Sequence, residues 1–218
     1  MRELVTIPIS FFEVAIDYEE PDIRLLGDRV PLVQTVFASF SQLGSSLDDI
    51  EFLTSGKLSE QGAMFKIPNK GISFFVGATM CRFSRSSVNW TMAEETIGIL
   101  ADSLAAVANL AKPKMGPKRT AMGMHIQPKT LSFKDILYPF IPAQLAKLDS
   151  ETFKTMAIIT KWPKRAVTLD GSGSLANALY LKLEREFASE STLKEVAHQL
   201  RADEEEVFAI LGIEEDLQ

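Results

Sequence analysis

Apolar residues recur along this chain with two periods, one typical of strands and one typical of helices. Alternation of apolar and polar residues predicts strands over residues 5–18, 50–54, 62–67, 72–83, 122–126, 155–161 and 165–170. Apolar residues three and four positions apart predict helices over residues 31–44 and 91–111. This order of elements predicts an α+β fold in which helices cover a mostly antiparallel sheet.

The C-terminal part of the chain is predicted to be entirely helical. Helical spacing predicts helices over residues 175–188, 192–200 and 204–211. The last two have the spacing of a helix-turn-helix, because Ala197 supplies a small residue at the crossing and Asp203 with Glu206 can cap the final helix. We therefore expect an α+β body over residues 1–173 and a helical tail over residues 174–218, which ends in an acidic, helix-turn-helix-like hairpin.

The negative charge of the chain is concentrated in this tail. Residues 182–218 contain four lysines and arginines against eleven aspartates and glutamates, whereas residues 1–181 carry a net charge of +1. The would-be recognition helix opens with three glutamates, which DNA phosphates would repel. The hairpin either packs on the body with its charges in water or docks onto a protein partner, and we adopt docking as the interpretation.

Partner-binding residues are predicted on the tail and on an apolar stretch of the body that prolines interrupt. In the tail they are the apolar and acidic residues of the hairpin: Leu193, Val196, Glu204, Glu205, Val207 and Phe208. In the body they are Tyr138 and Phe140, which flank Pro139 and cannot belong to one long helix. Such a stretch either caps the core or projects into a partner. This stretch or the helix over residues 91–111 would support a homo-oligomer.

Two basic loops suggest an alternative function, that of a nucleic-acid-associated regulator. Their candidate residues are Lys114, Lys118 and Arg119 in residues 112–119, and Trp162, Lys164 and Arg165 in residues 161–165. If the loops converge, Trp162 offers a stacking surface beside basic side chains, an arrangement that single-stranded nucleic acid favours. The chain as a whole is acidic, and a match between these loops and the acidic tail is the competing interpretation.

A second alternative is a phosphorylated small ligand bound at a glycine-rich turn. Gly171, Ser172, Gly173 and Ser174 are predicted to join a strand to a helix, where backbone N–H groups and a helix N-terminus can bind phosphate. The turn has neither the Walker spacing with its lysine nor the three-glycine dinucleotide fingerprint. Ser174 as the N-cap of the predicted helix is the simpler interpretation.

No residue pattern specifies catalysis, a metal site or a cofactor. His125 and His198 stand in none of the zinc-ligand or nucleophile motifs, and Cys81 is the only cysteine. The longest apolar stretch contains Asp102 and is shorter than the roughly 20 residues that cross a bilayer. Because no secretory signal is visible, we expect a cytoplasmic, non-enzymatic protein of unknown pathway that binds protein and does not enter a membrane.

Overall fold

Contacts within the chain define two compact units. A computed structural model describes residues 2–27, 29–54, 56–141, 158–162 and 164–216, with the backbone alone for residues 29 and 158–162. Unit 1 comprises Met1–Ser10, Ala121–Arg185 and His198–Gln218, and unit 2 comprises Phe11–Thr120 and Glu186–Ala197. Each unit contains strands and helices, so the fold is α+β. The predicted domain boundary after Gly173 stays a prediction.

Strands and helices of very different lengths follow one another along the described part of the chain. Along the chain they are β1 (Glu3–Tyr18), α1 (Arg24–Gly27), α2 (Arg29–Ser41), β2 (Ile50–Leu53), β3 (Gly62–Ile67), β4 (Ile72–Gly77), β5 (Met80–Ser86), α3 (Ala93–Leu110), β6 (Met115–Pro128), α4 (Phe133–Leu137), β7 (Ile158–Trp162), β8 (Arg165–Gly171), β9 (Leu179–Phe187), α5 (Leu193–Leu211) and β10 (Ile213–Glu215). The unit definitions divide β1, β6, β9 and α5, so each of these elements has a part in either unit.

Unit 2 contains an antiparallel ladder in the order β2-β3-β4-β5-β1. Strands β4 and β5 form a hairpin that turns at Ala78 and Thr79. The prediction of one strand over residues 72–83 was therefore wrong. Alternation of apolar residues continues through the turn, so the periodicity alone did not reveal where the strand ends.

Phenylalanines from three elements meet at the centre of unit 2. The ring centroid of Phe40 on α2 lies 6.1 Å from that of Phe65 on β3 and 6.2 Å from that of Phe74 on β4. All three side chains are fully buried, and α3 adds Leu100 and Val107 to the same cluster. The apolar stripes of α2 and α3 thus cover the ladder, as their spacing predicted.

Unit 1 contains strands in the order β1-β6-β9-β8-β7, and β10 pairs in parallel with the start of β1. The pairs β7–β8 and β8–β9 are antiparallel. Odd-numbered residues of β8 and β9 form the buried face, which α5 covers. The buried apolar side chains of unit 1 include Val5, Met122, Met124, Ile126, Val167, Leu169, Leu179, Leu181, Leu183, Leu200, Val207, Phe208, Leu211 and Ile213.

The C-terminal part of the chain is not all helical. Residues 175–188, predicted as a helix, contain strand β9, and β10 follows the last helix. Leu179, Leu181 and Leu183 are buried while Tyr180 and Lys182 between them are half-buried, which is the period of two that a strand shows. This alternation was present in the sequence, and the helical interpretation overlooked it.

The predicted helix-turn-helix is a single helix in the structure. Helix α5 runs without interruption from Leu193 to Leu211, so Arg201, Ala202 and Asp203 are helical residues and form no turn. Arg201 stands where the turn of such a motif usually has glycine, and arginine favours the helix interior. Asp203 therefore caps no second helix.

The burial of Phe40 predicts a large loss of stability on truncation. We expect Phe40→Ala to lower the free energy of unfolding by about 3–5 kcal/mol, because the change leaves a cavity among rings. The matched control is Phe140→Ala, whose side chain is 39% exposed and should cost less than about 1 kcal/mol. Urea denaturation followed by circular dichroism measures both, and equal losses would contradict the assignment of this core.

Candidate functional site

An exposed apolar segment follows β6 in unit 1. Leu131, Tyr138 and Phe140 are 44%, 48% and 39% exposed, respectively. Between them, Ile136 and Leu137 on α4 are buried and attach the segment to the core of the unit. We call residues 131–140 the docking segment. The predicted partner-binding residues Tyr138 and Phe140 both belong to it.

Glu3 on β1 fixes the start of the docking segment. Its carboxylate accepts hydrogen bonds from Thr130 N and Leu131 N at 2.6 and 3.1 Å, and from Thr130 Oγ1 at 2.5 Å. These bonds, that of the Thr130 side chain above all, lower the pKa of Glu3. The backbone that carries Leu131 is therefore held by an ionised carboxylate.

A capping box begins helix α4. Asp135 N donates to Ser132 Oγ at 3.2 Å, while Ser132 N and Oγ donate to Asp135 Oδ2 at 3.0 and 2.6 Å. The bonds from Ser132 lower the pKa of Asp135. This reciprocal arrangement fixes the first turn of a helix that is too short to be stable alone.

The loop over residues 171–178 holds the docking segment from another side. Asn177 Oδ1 accepts a hydrogen bond from Phe133 N at 3.1 Å, and Asn177 Nδ2 donates to Leu131 O at 3.4 Å. A Cβ atom at Gly171 would lie 3.3 Å from the ring of Phe133, so the ring packs closely on this glycine. The loop and the docking segment therefore form one connected structure.

The same loop is the alternative phosphate site, and the backbone N–H groups of Gly171, Ser172 and Ser174 are already engaged. Ser172 Oγ accepts hydrogen bonds from Ser174 N at 3.2 Å and Leu175 N at 3.0 Å, Ser172 N donates to Ala178 O, and Gly171 N donates to Asp170 Oδ1. The predicted helix after Ser174 is absent because β9 begins at Leu179. No helix begins in this described loop, and three of the four backbone N–H groups of residues 171–174 have partners within the chain, so support for a phosphate here is weak.

The sequence analysis missed a pair of side chains that the loop brings together. His125 Nδ1 on β6 lies 2.7 Å from Ser172 Oγ, and its ring centroid is 5.1 Å from that of Tyr180 on β9. Burial raises the pKa of Tyr180. The alternation of apolar and polar residues in β9 could have placed Tyr180 on one face of a strand. No local sequence pattern indicates that residues 125 and 172 are in contact.

The predicted loop over residues 112–119 is strand β6 from Met115 onward, so Lys118 and Arg119 lie on a strand, and its basic residues contact groups of unit 2 itself. Lys114 forms an ion pair with Glu19, and Arg119 forms one with Asp17 at 2.7 Å. Lys118 is 7% exposed and donates to the carbonyl oxygen of Ser189 at 2.5 Å. Burial lowers the pKa of the Lys118 amine.

The second basic loop contributes Arg165 to an ion cluster in unit 1. Arg165 Nη1 donates to Asp203 Oδ1 at 3.0 Å and to Glu206 Oε2 at 2.7 Å. Lys164 is exposed, and the side chain of Trp162 lies outside the described residues. Arg165 therefore contacts the acidic helix of its own chain, as the competing interpretation of the loop supposed.

Asp203 is the centre of this cluster. Its side chain is 3% exposed and accepts hydrogen bonds from Arg185 Nη1 at 2.8 Å on both carboxylate oxygens, in addition to the bond from Arg165. The hydrogen bond from Arg165 lowers the pKa of Glu206. Two arginines from β8 and β9 thus hold one buried carboxylate of α5, and Glu206 supplies the second negative charge through its pair with Arg165.

Most of the partner-binding residues predicted on the tail are packing residues in the structure. Val196, Glu204, Val207 and Phe208 are buried, with exposed fractions of 2–9%. Leu193 is half-buried against the core of unit 2. The two-helix hairpin is corrected to one continuous amphipathic helix that buries these residues, and partner binding by this face stays a prediction. Glu205 alone is exposed, and its carboxylate accepts a hydrogen bond from Arg201.

Comparison with known proteins gives no further constraint: no protein-family model matches the chain, and no curated protein is detectably similar to it. Within the described ranges, none of the helices has the length and apolar content that crossing a bilayer requires. Among the same residues, no three His, Cys, Asp or Glu side chains are grouped so that they would hold a metal ion.

The Asp203 cluster predicts that the carboxylate of Asp203 contributes far more to the free energy of unfolding than that of Glu205, its neighbour on α5. We expect Asp203→Asn to lower the free energy of unfolding by about 3 kcal/mol, because two partly buried arginines lose their counter-charge. Glu205→Gln is the control, since that side chain is 66% exposed and its pair with Arg201 contributes at most about 0.5 kcal/mol. Chemical denaturation of both variants measures the difference, and similar losses would refute the central role of Asp203.

Replacement of Glu215 on β10 is predicted to raise the stability of the fold by an amount that depends on pH. Burial raises its pKa, so the ionised carboxylate disfavours folding at neutral pH, and this penalty disappears as the pH falls below the ordinary glutamate range. Glu215→Gln should therefore raise Tm near about pH 8 and have no effect near about pH 4. The exposed neighbour gives the control, Glu214→Gln, which should change Tm little at either pH. A gain from Glu215→Gln that grows on acidification would contradict this account.

Proposed function

We propose that this chain is a non-enzymatic protein-binding protein that docks through residues 131–140 of unit 1. The main support is the joint exposure of Leu131, Tyr138 and Phe140 on a backbone that hydrogen bonds hold in place. Aromatic side chains on a pre-ordered backbone lose little conformational entropy when they bind, and they are typical of interface hot spots.

The proposed partner is a second copy of the chain, and the charges beside the docking segment limit how two copies can meet. Glu3 and Asp135 accept hydrogen bonds from the segment and its flanking residue, and Asp216 forms an ion pair with Lys129. The chain carries a net charge of −6, so two copies repel each other unless the carboxylates at their contact are compensated. Lys129 neutralises Asp216, whereas Glu3 and Asp135 stay ionised and only accept hydrogen bonds from neutral groups, so two copies that meet at this surface must keep these two carboxylates apart.

The proposed contact is small and apolar, and these two properties determine its expected affinity and its dependence on salt. Three large exposed side chains form less than a standard interface, so association should be weak and depend on concentration. Few charges take part, so the contact should tolerate salt, which screens interactions between exposed charges.

The other predicted docking elements are less well supported. The outward face of helix α3 carries small and polar residues such as Ala101, Asp102 and Ala105. Of the apolar residues of α5 named above, Val196, Val207 and Phe208 are buried and Leu193 is half-buried. Nucleic acid and phosphate binding remain alternatives with weaker support, because Lys114, Arg119 and most donors of the 171–174 turn already have partners within the chain.

Serine substitutions in the docking segment test this function. We expect the wild-type chain to show concentration-dependent dimers in sedimentation velocity at both about 0.05 and about 0.5 M salt. The double variant Tyr138→Ser/Phe140→Ser should weaken this association by at least about tenfold, because it removes two hot-spot rings. Its fold is checked by the unchanged far-ultraviolet circular dichroism.

The control variant is Ile210→Ser on α5, where the side chain is 58% exposed and lies outside the segment. It should associate like the wild type. A wild-type chain that is monomeric at all concentrations, in a sample that also captures no other protein through Tyr138 and Phe140, would overturn the proposed function. Capture of a different protein through these residues would keep the docking segment and replace the second copy as partner.

A further inference from the structure

Ser172 Oγ is the hydrogen-bond partner of His125 Nδ1 and also binds two backbone N–H groups of its own loop. Ser172 Oγ accepts hydrogen bonds from Ser174 N and Leu175 N, which occupy both lone pairs of the hydroxyl oxygen. The hydroxyl proton is then available only for donation, and its acceptor at 2.7 Å is His125 Nδ1. The arrangement thus requires a neutral imidazole that carries its proton on Nε2.

We propose that protonation of His125 releases the 171–178 loop and, with it, the docking segment. A protonated imidazole would direct an N–H group at an oxygen whose lone pairs are both in use, so at least one bond within the loop must break. Neutral conditions therefore keep the segment ordered and mild acid loosens it. The consequence for docking rests on the proposed function.

The loop transmits the change because it contacts the docking segment directly. Asn177 bonds both to Phe133 N and to Leu131 O, and Gly171 packs on the ring of Phe133. Ser172 lies between these two contacts in the sequence. A shift of the turn at Ser172 therefore moves the groups that hold residues 131 and 133.

Aromatic and charged side chains of β8 and β9 surround His125. The ring of Tyr180 contacts it, and Asp170, Lys182 and Glu184 lie on the same face of β8 and β9, where Lys182 and Glu184 form an ion pair at 2.8 Å. Histidine is the residue type among them that ordinarily titrates between pH 5 and 8. The other anchors, Glu3 and Asp135, have lowered pKa values and keep their charge in that range.

Nuclear magnetic resonance of the wild-type chain tests the starting state. The chain has two histidines, so the imidazole signals can be assigned with His198→Gln, which replaces the exposed residue on α5. At about pH 7.5 we expect His125 to carry its proton on Nε2 and to have an unprotonated Nδ1. A proton on Nδ1 at that pH would overturn the proposal without any variant of His125.

Hydrogen exchange of backbone amides tests the release. Between about pH 7.5 and about pH 5.5, after correction for intrinsic rates, exchange at residues 171–178 and 131–141 should rise by about fivefold in the wild type. His198→Gln should respond equally, and His125→Phe should not respond. An unchanged wild type, or an equal response of His125→Phe, would refute the inference.

Association measured in parallel separates this inference from the proposed function. If exchange responds to pH as expected and dimers weaken in mild acid, both stand. If exchange responds but neither dimers nor another partner form at any pH, the release of the loop stands and the docking function fails. If docking through Tyr138 and Phe140 occurs without any pH response of the loop, the function stands and this inference fails.

Discussion

The buried carboxylate of Asp203 is the constraint on which the C-terminal part of this fold depends. A charge that is 3% exposed is tolerated only with counter-charges, and Arg165 and Arg185 supply them from two neighbouring strands of unit 1. The cluster fixes the rotation of helix α5 on the sheet, so that Val207 and Phe208 face the core. The acidic helix, which the sequence pattern suggested as a docking surface, therefore packs on the strands of unit 1.

An exposed apolar segment of unit 1 lies outside α5, at residues 131–140. Buried Ile136 and Leu137 attach α4 to the unit, and hydrogen bonds to Glu3 and Asn177 fix the backbone around it. These hydrogen bonds keep apolar side chains exposed to water, and burial against a partner would recover the free energy that this exposure costs. This is the physical reason for interpreting residues 131–140 as a contact surface for another protein molecule.

The sequence allowed those elements to be predicted whose residues repeat with one clear period. Helices α2 and α3, strand β3 and the β7–β8 hairpin follow from such repeats. Strand β9 was predicted as a helix because the alternation of its apolar residues was overlooked. The unbroken α5 was predicted as two helices because the charged residues near Arg201 resemble a turn when their long-range partners are unknown. The contacts of Asp203 with Arg185 and of His125 with Ser172 join residues far apart in sequence, so local patterns carry no trace of them.

Photo-crosslinking from position 138 tests the central claim most directly. The full chain with a benzoylphenylalanine in place of Tyr138 is irradiated at concentrations where it associates, and mass spectrometry locates the products. Docking through this segment predicts crosslinks between two copies that end in residues 131–140, and their loss when Phe140 is also replaced by serine. Crosslinks confined to one copy, or spread over unrelated surfaces of a second copy, would contradict it.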